Sequence, residues 1–328
     1  MRILSYREAI IEALKEEMER DPSIFIMGED IGEHWQGSVK EFEGLWPKFG
    51  SERIRETPIS ETAFLGCSIG AAMTGMRPIA NIMFASFLGV TMDEIFSQLT
   101  KMRYMFGGKT KMPVTIMCLS GGGMNAAAQH SVCLEGMLMS VPGLKIVSPS
   151  TPYDAKGLLK SAIRDDNPVI FFQNLFLTIS GFKGEVPEDD YTIPLGQAVI
   201  RNEGNDVTVV AIGNMVHTAL SAAGKLKEEN INLEVIDPRC MAPLDEKTII
   251  ESVKKTGKLV ILDEEPKTGS AASEIAAIMA EEAIEYLDAP IRRVCAPNTP
   301  VPFSPPLEKY WLPDENKLIN AVYSIIKE

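Results

Sequence analysis

Glu61 is the charged side chain that begins the most apolar part of this sequence. It lies in PISETAFLGCSIGAAMTG (residues 58–75), and the next charged residue is Arg77. A carboxylate in apolar surroundings has a raised pKa and can share a proton with a bound heteroaromatic base. If Ser60 caps a helix here, the helix dipole stabilises a first-turn carboxylate by about 0.3–1 kcal/mol, which is the structural alternative.

His130 is the second residue whose position is suited to chemistry. It follows three glycines in GGGMNAAAQHSVCLEGML, at a strand exit, where α/β sheets place their ligands. A histidine that is neutral at pH 7 and easily protonated suits proton transfer to a carbonyl oxygen. The alternative is a hydrogen-bonded core histidine beside an apolar segment. His217 lacks this setting and is interpreted as structural, and His34 stays undecided.

Two further strand ends have side chains that could face a cofactor. Glu29 and Asp30 end SIFIMGED, either facing a ligand or lying in a solvated loop. Phe84 and Phe87 end the strand in NIMFASF, where aromatic residues belong to the core or stack on a flat ring.

Other familiar motifs are incomplete. GGKT (107–110) is similar to the end of a P-loop, but Arg103 stands where that motif needs its first glycine, and LSGGGMN lacks the GxGxxG spacing. The chain has three scattered histidines and five cysteines without CxxC spacing, which favours buried free thiols in a reducing compartment over a zinc site or disulfide framework.

Helix and strand patterns alternate along the chain. Ser5 and Glu8 have the spacing of a capping box, and helices are predicted at residues 58–75 and 88–105. Apolar strands are predicted in SIFIMGED, RPIANIMF, PVTIMCLS, LKIVSPS and NPVIFFQN. Strands that are apolar on both faces and alternate with helices predict a parallel sheet covered on both sides.

The same alternation restarts after GFKGEVPEDDYTIP (181–194), whose glycine, proline and acidic residues are typical of a linker. Later strands are predicted in DVTVVAIG, NLEVIDPRC, KLVILDEE and APIRRVCAP, and helices from Met215 and near 244–255, 270–286 and 314–327. We therefore expect an α/β protein with two doubly wound domains, residues 1–185 and 195–328, joined by a linker at 186–194.

The helix that follows Glu61 has one face lined by small residues. Gly66 and Gly70 are four residues apart, and their small neighbours keep the helix narrow. Small residues at this spacing allow another backbone to approach closely, either at a subunit interface or within the same domain.

Composition excludes several classes of function. The 328 residues are 45% hydrophobic and 23% charged, which is typical of a globular protein, and the net charge of −13 argues against nucleic-acid or anionic-membrane partners. The N-terminus lacks a signal-peptide pattern, and the apolar run at 78–92 is too short to span a membrane. We expect a soluble cytoplasmic protein.

These segments together resemble the β chain of the thiamine-diphosphate-dependent decarboxylating component of 2-oxoacid dehydrogenase complexes, a transketolase-like family. Acetoin dehydrogenase β chains are closely similar. The resemblance covers nearly the whole chain and is specific in its combination of motifs, which are MGED, TPISE, RPIANIMFASFLGV, KMRYMFGGK, AQHS, PGLKIVSPSTPYDAKGLLKSAIRDDNPVIF and TPVPFSPPLE.

The resemblance implies a role for each residue at the site. Glu61 would hydrogen-bond the pyrimidine N1′ of thiamine diphosphate and drive formation of its ylid, while Phe87 would pack on the pyrimidine and Glu29 would lie near it. His130 would assist the substrate carbonyl and the acyl transfer to lipoamide. Family members also hold a structural potassium ion by backbone carbonyls, and the matching positions are Val114, Ala162, Asp165 and Asn167.

The resemblance also implies partners. The family binds the diphosphate and its Mg²⁺ through a GDG-led motif, which this chain lacks, so a separate α chain would supply it. The expected assembly is an α2β2 heterotetramer docked on a lipoyl acyltransferase core.

The substrate stays open between pyruvate, a branched 2-oxoacid and acetoin. Asn81, Ser86 and Gln173 stand where many relatives have acids, or in one case an acid or Asn, close to the expected cofactor edge. Two other functions are weighed: a split transketolase, which should need more histidines and basic residues, and a non-catalytic assembly subunit, which should tolerate loss of Glu61.

Overall fold

The computed structural model describes residues 1–326 and is an alternating α/β structure. Residues 327 and 328, at the end of the predicted second domain and final helix, lie outside the described residues. The strands, in chain order, are β1 (Arg2–Ser5), β2 (Ile24–Gly28), β3 (Ile54–Glu56), β4 (Arg77–Phe84), β5 (Thr115–Ser120), β6 (Lys145–Val147), β7 (Val169–Asn174), β8 (Lys183–Val186), β9 (Val199–Asn202), β10 (Val207–Ala211), β11 (Leu233–Asp237), β12 (Cys240–Ala242), β13 (Leu259–Pro266) and β14 (Arg292–Ala296).

Thirteen α-helices of the described residues connect and cover these strands. They are α1 (Tyr6–Arg20), α2 (Leu45–Arg53), α3 (Glu61–Met73), α4 (Met102–Met105), α5 (Ala127–His130), α6 (Glu135–Met139), α7 (Pro152–Arg164), α8 (Leu175–Ile179), α9 (Met215–Glu228), α10 (Glu246–Thr256), α11 (Ala271–Glu282), α12 (Pro305–Trp311) and α13 (Glu315–Ile326).

Two sheets organise the fold. The first has seven strands in the order β12-β6-β7-β5-β4-β2-β3, and the second has five in the order β14-β13-β10-β11-β9. The neighbours are parallel apart from the edge strands β12 and β9, which pair antiparallel. Parallel sheets of this kind place ligands at the carboxyl ends of their strands, so the ends of β2, β4 and β5 define where a site is expected.

The described core covers both faces of the seven-stranded sheet, because its strands are apolar on both sides. Alternate residues of each strand point to opposite layers: Phe171 packs with α1 and α7, and Phe172 packs with α3. The second layer continues into the five-stranded sheet through Val210 and Ile236, so the two sheets share one apolar cluster. The fold class predicted from the sequence is confirmed.

Local signals explain several helix boundaries. Ser5 accepts a hydrogen bond from the Glu8 N–H at 3.2 Å, and the Glu8 carboxylate accepts one from the Ser5 N–H at 2.7 Å, so the predicted capping box is confirmed. Gly257 ends α10 in the left-handed conformation with φ 69°, which a glycine adopts without steric cost.

Two local predictions are wrong, the single helix at 88–105 and the burial of every cysteine. The single helix expected at 88–105 is replaced by a 3₁₀ segment at 85–91, a π segment at 94–99 and the one-turn α4. The predicted linker stays a prediction, and ordered contacts adjoin it, because β8 pairs antiparallel with β1 and the Tyr191 ring stacks on the Tyr153 ring at 4.8 Å. The cysteines are free as expected, but Cys67 is exposed.

The domain boundaries stay a prediction. Most of the first sheet comes from residues before the predicted linker and the second sheet from residues after it. The exception is β12, which belongs to the second half of the chain and pairs with β6 in the first sheet. The pairing of β12 with β6 is a long-range contact, and no local pattern near Cys240 predicts it.

Candidate active site

The ends of three neighbouring strands bring the expected site residues to one edge of the first sheet. Glu29 directly follows β2, Phe84 is the last residue of β4, and a glycine-rich loop follows β5. Because β2 pairs with β4 and β4 pairs with β5, all in parallel, these ends lie side by side. Here Glu61 begins α3, which packs against β4.

Glu29 and Glu61 form a pair of neighbouring carboxylates. Glu29 is 5% exposed, and its Oε2 is buried without a hydrogen-bond partner. Burial raises the pKa of Glu29, and the negative charges of Glu61 and Asp30 raise it further. A buried carboxylate oxygen without a partner costs free energy unless a ligand or water satisfies it, so Glu29 is positioned to accept a donor from a bound molecule.

Ser60 does not cap α3 with its side chain. The Ser60 hydroxyl instead donates to the Pro58 carbonyl at 3.0 Å, and the helix begins at Glu61 without a side-chain cap. Glu61 is therefore the carboxylate in the first turn, half-buried, next to the free N–H groups of the helix. The structural and catalytic interpretations of its position are both compatible with this geometry.

The 3₁₀ segment at 85–91 connects the two halves of the site. Thr62 on α3 donates its hydroxyl to the Val90 carbonyl at 2.7 Å. At the other end of the segment, the Ser86 hydroxyl donates to the Gln129 carbonyl, next to His130. The segment thereby places the carboxylates and the histidine at a common edge.

Three aromatic rings surround this edge. The His130 ring centroid is 4.3 Å from that of Phe84, and 5.9 Å from that of Phe87 with the two planes nearly perpendicular. Phe84 and Phe87 themselves meet edge to face at 5.6 Å. All three rings are half-buried, so they form an apolar wall that a flat ligand can contact.

The four predicted potassium positions lie at another place, around the end of α7 and the start of β7. The Val114 carbonyl accepts the Val169 N–H at 3.0 Å, and the Ala162 carbonyl accepts the Asp165 N–H at 3.3 Å. The Asp165 carbonyl accepts Arg77 Nη2 at 2.5 Å. Each of these oxygens keeps a second lone pair, and the ion site, which includes Asn167, stays a prediction.

The other two histidines lie away from this edge. His217 Nε2 is 2.7 Å from the Ser150 carbonyl oxygen, the ring packs on Phe182 at 4.3 Å, and burial lowers the pKa of His217. These contacts agree with its expected structural role. His34 is exposed in the loop after β2.

Two of the three residues that depart from the pattern of the resembled family are buried amides. Asn81 on β4 is 1% exposed and Gln173 on β7 is 0% exposed, and the side-chain oxygen and nitrogen of both are without a hydrogen-bond partner. Ser86 is the third, and it contacts the Gln129 carbonyl.

Two carboxylates at the site were missed by the sequence analysis. The Gly122 N–H donates to Glu264 Oε2 at 2.9 Å, and the N–H groups of Gly123 and Asn125 donate to Glu308 Oε1 and Oε2 at 3.0 and 2.8 Å. For Glu264 the available signal was LDEEP, three consecutive acids at the end of an apolar strand.

Residues 1–326 contain neither a clustered metal site nor a membrane-spanning helix. Within them no group of three or more His, Cys, Asp or Glu side chains is arranged to hold a metal ion. None of their helices has the length and apolar character that crossing a bilayer requires.

Comparisons with known proteins define the class. Residues 3–174 match the family described as transketolase, pyrimidine binding domain, and residues 196–318 match transketolase, C-terminal domain. A solved structure described as a split gene transketolase, inactive beta4 tetramer, is 24% identical, with a TM-score of 0.80 and coverage of 99% of this chain and 98% of that one. Fold and site thus define a transketolase-like protein of a thiamine-diphosphate-dependent class.

The full-length relatives are more specific. The chain is 47% identical to the acetoin:2,6-dichlorophenolindophenol oxidoreductase subunit beta of Bacillus subtilis, covering 100% of this chain and 98% of the relative. It is 46% identical to the 2-oxoisovalerate dehydrogenase subunit beta and 41% identical to the pyruvate dehydrogenase E1 component subunit beta of the same organism, covering 98% of each chain. The chain belongs to this family of E1 β subunits, and the predicted resemblance is confirmed.

Proposed function

We propose that this chain supplies half of a thiamine-diphosphate-dependent active site that cleaves the C–C bond next to the carbonyl of a 2-oxoacid and transfers the acyl group to lipoamide. The observation that supports this most directly is the pair Glu29 and Glu61 beside the Phe84, Phe87 and His130 rings. Glu29 Oε2 is buried and unsatisfied, as a position that awaits a ligand would be.

The residues at the edge fit the heteroaromatic half of the cofactor. Thiamine diphosphate, when bound, supplies the stabilisation of negative charge that cleavage next to a carbonyl requires. Glu61 would share a proton with a pyrimidine nitrogen, and Glu29 would accept a further donor. Phe87 would pack against the ring and exclude water, while His130 would donate a proton to the substrate carbonyl oxygen.

The diphosphate, Mg²⁺ and the rest of the cavity belong, in this proposal, to an α subunit in an α2β2 assembly. The surface around Glu61 supports this assignment, because Ile59 is 81% exposed and Val90 is 60% exposed. Along α3 the exposed face continues through small residues, namely Thr62, Ala63, Gly66, Cys67 and Gly70. A lipoyl acyltransferase core is the proposed acceptor of the assembly, and the free cysteines favour a reducing, cytoplasmic compartment.

Acetoin is the second candidate substrate. Two relatives named as acetoin oxidoreductase β subunits, from Bacillus subtilis and Cupriavidus necator, are 47% and 48% identical to this chain. Acetoin and 2-oxoacids share a carbonyl next to the bond that is cleaved, so the same side chains serve both reactions.

Co-expression with an α chain of the same family tests the proposal. The purified complex is given thiamine diphosphate, Mg²⁺ and a dye acceptor, with pyruvate, branched 2-oxoacids and acetoin compared in parallel. We expect turnover of one substrate class by the complex and none by the β chain alone. Full-rate turnover by the isolated β chain would refute the half-site proposal, and absence of turnover on all substrates with an intact complex would refute the reaction.

A further inference from the structure

The loop that leads from β5 to His130 is held from outside its own domain. This glycine loop (residues 121–126) has left-handed backbone at Gly121 and Gly123, with φ of 92° and 96°, and at Asn125, with φ of 55°. Ala127, the first residue of α5, also has a positive φ, of 60°. Left-handed backbone at a residue with a side chain costs roughly 1–2 kcal/mol, so surrounding contacts have to maintain this path.

Alternating left-handed residues turn successive N–H groups toward one side and form a concavity that binds anions. In this chain the anion is the carboxylate of Glu308 on α12, which accepts the N–H groups of Gly123 and Asn125 at 3.0 and 2.8 Å. Glu308 is 3% exposed. Hydrogen bonds to a buried charged acceptor are about twice as strong as neutral ones.

Glu264 on β13 extends the same arrangement by one residue. Its Oε2 accepts the Gly122 N–H at 2.9 Å. The space around the loop is full, since a Cβ on Gly122 would lie 3.2 Å from Leu312 Cδ2 and one on Gly121 would lie 2.9 Å from Glu264 Oε2. We name Glu264 and Glu308 the carboxylate clamp.

On its opposite side, His130 is held by contacts with the strand end of β4 and the 3₁₀ segment. Its ring packs against Phe84 and Phe87, and the Ser86 hydroxyl holds the preceding Gln129 carbonyl. The residues between the clamp and His130 form the four-residue helix α5, which has no side-chain cap. Release of the loop at Gly123 and Asn125 would therefore shift the imidazole directly.

We infer that Glu308 is a positioning residue for His130: through the glycine loop, the second half of the chain sets the orientation of the imidazole at the active-site edge. The catalytic meaning of this inference rests on the function proposed above. The positioning itself does not, because it concerns the histidine ring and not turnover.

Glu308→Gln is the main test, because it keeps the size of the side chain but replaces one acceptor oxygen by an NH₂ group that faces an N–H donor. The matched control is Glu315→Gln, since Glu315 on α13 bonds Ser221 and Lys225 and does not touch the loop. Glu264→Gln is the second variant and should have a smaller effect, because Glu264 makes one hydrogen bond to the loop where Glu308 makes two.

The first readout is the NMR spectrum of the full-length chain labelled with ¹³C at its three histidine imidazoles. We expect Glu308→Gln to shift or broaden the His130 signals and to leave those of His34 and His217 unchanged. Unchanged His130 signals would overturn the inference. Simultaneous shifts of all three histidines would also overturn it, because they would show a general structural role. If Glu308→Gln does not fold, the same criteria apply to Glu264→Gln.

The second readout is the steady-state rate of the complex with the α chain. We expect kcat to fall about tenfold in Glu308→Gln, with the KM for substrate and the affinity for thiamine diphosphate within twofold of the unmodified complex. Equal loss of cofactor affinity would contradict positioning of His130. A wild-type complex without turnover would refute the proposed function and leave the NMR result to decide the positioning.

Discussion

Glu61 and Glu29 are close in space but differ in their surroundings. Glu29 is nearly inaccessible, and burial together with the charge of Glu61 raises its pKa. It therefore retains a proton to a higher pH than a carboxyl group in water. Glu61 is half-buried at the first position of α3, beside exposed Ile59, where a second chain can enclose it.

Glu61→Gln tests the acid–base role at the scale of one atom. The amide has the shape of the carboxyl group but cannot take or release a proton, so we expect kcat of the complex to fall by about 10²–10⁴-fold. Because the Glu61 side chain makes no hydrogen bond to residues 1–326 that would hold α3 in place, we expect the assembly with the α chain to form normally. Steady-state kinetics and size-exclusion chromatography measure the two quantities.

The control for this variant is Glu52→Gln, which changes an exposed carboxylate on α2. It should leave both rate and assembly unchanged. Retention of most activity by Glu61→Gln would favour the non-catalytic assembly subunit.

His130 and His217 provide a second residue-scale test. His130→Ala should lower acyl transfer to lipoamide more than it lowers cofactor affinity, with little change in stability, because its ring lies half-buried at the edge of the sheet. His217→Ala should do the reverse and destabilise the chain by about 1–3 kcal/mol, because it leaves the buried Ser150 carbonyl without its partner. Kinetics and urea unfolding of both variants decide between the roles. A comparable loss of cofactor affinity in His130→Ala would identify it as structural.

At the scale of elements, α3 has one buried and one open face. Phe64, Leu65 and Ile69 pack into the core, whereas a Cβ placed on Gly66 or Gly70 meets nothing within 4 Å. The narrow open face is therefore not needed for packing within this chain. We therefore expect this face of α3 to contact another chain.

Gly66→Leu tests that contact. The isolated chain should be as stable as before or more stable by about 0.5–1 kcal/mol, since glycine in a helix interior is unfavourable. Assembly with the α chain should be lost, because the new side chain projects where the other backbone would approach. Gly224→Leu on α9 is the matched control, since that glycine also meets nothing within 4 Å. Normal assembly of Gly66→Leu would contradict an interface at this face.

Elements with local signals were predictable from the sequence. Ser5 and Glu8 are three residues apart and bond each other, and the apolar run of NPVIFFQN forms the predicted strand as β7. The segment at 88–105 was mispredicted because its apolar spacing is helical while its backbone winds as 3₁₀ and π segments. These 3₁₀ and π segments position Ser86 and Phe87 at the site. The hydrophobic periodicity of the sequence does not predict such irregular winding.

At the scale of the whole molecule, the site depends on contacts between distant parts of the chain. Glu61 and His130 were found from local composition, but the Gly123 and Glu308 hydrogen bond joins residues 185 positions apart. The same applies to β12, which leaves the second half of the chain to pair with β6. Such contacts depend on how the two sheets pack, so a single sequence does not reveal them.

Where the two sheets meet, four acids are buried together. The Gly136 N–H donates to both oxygens of Glu265 at 3.0 and 3.1 Å, and the Ser148 hydroxyl donates to Glu135 at 3.3 Å. Burial raises the pKa of Glu265 to about 9 and that of Glu264 to about 7, and it also raises the pKa values of Glu135 and Asp263. The folded chain therefore binds more protons than the unfolded chain, whose glutamates titrate near 4.3.

This difference predicts that stability falls as the pH rises. Stability from a raised carboxyl pKa is fully present below the unfolded pKa and is lost as the pH passes through the folded pKa. His217 has a lowered pKa and acts in the opposite direction at lower pH. Burial raises the pKa values of Cys118, Cys133, Cys240 and Cys295, and these thiols add a decline of their own at higher pH. The informative window is therefore about pH 7–8, below the usual thiol pKa. There we expect the free energy of unfolding to fall by about 1–2 kcal/mol, mainly through Glu265.

Glu265→Gln separates this effect from general alkaline destabilisation. The amide cannot ionise, so urea unfolding at each pH should show most of the decline removed, whatever the absolute stability of the variant. Glu281→Gln on α11 changes an exposed carboxylate and should keep the wild-type decline. If the free energy of unfolding declined equally with pH in Glu265→Gln and the wild type, groups other than Glu265 would be responsible for the pH dependence. A reduced decline would instead show that burial of these acids couples the packing of the two sheets to pH, because ionisation of Glu265 has to occur where both sheets meet.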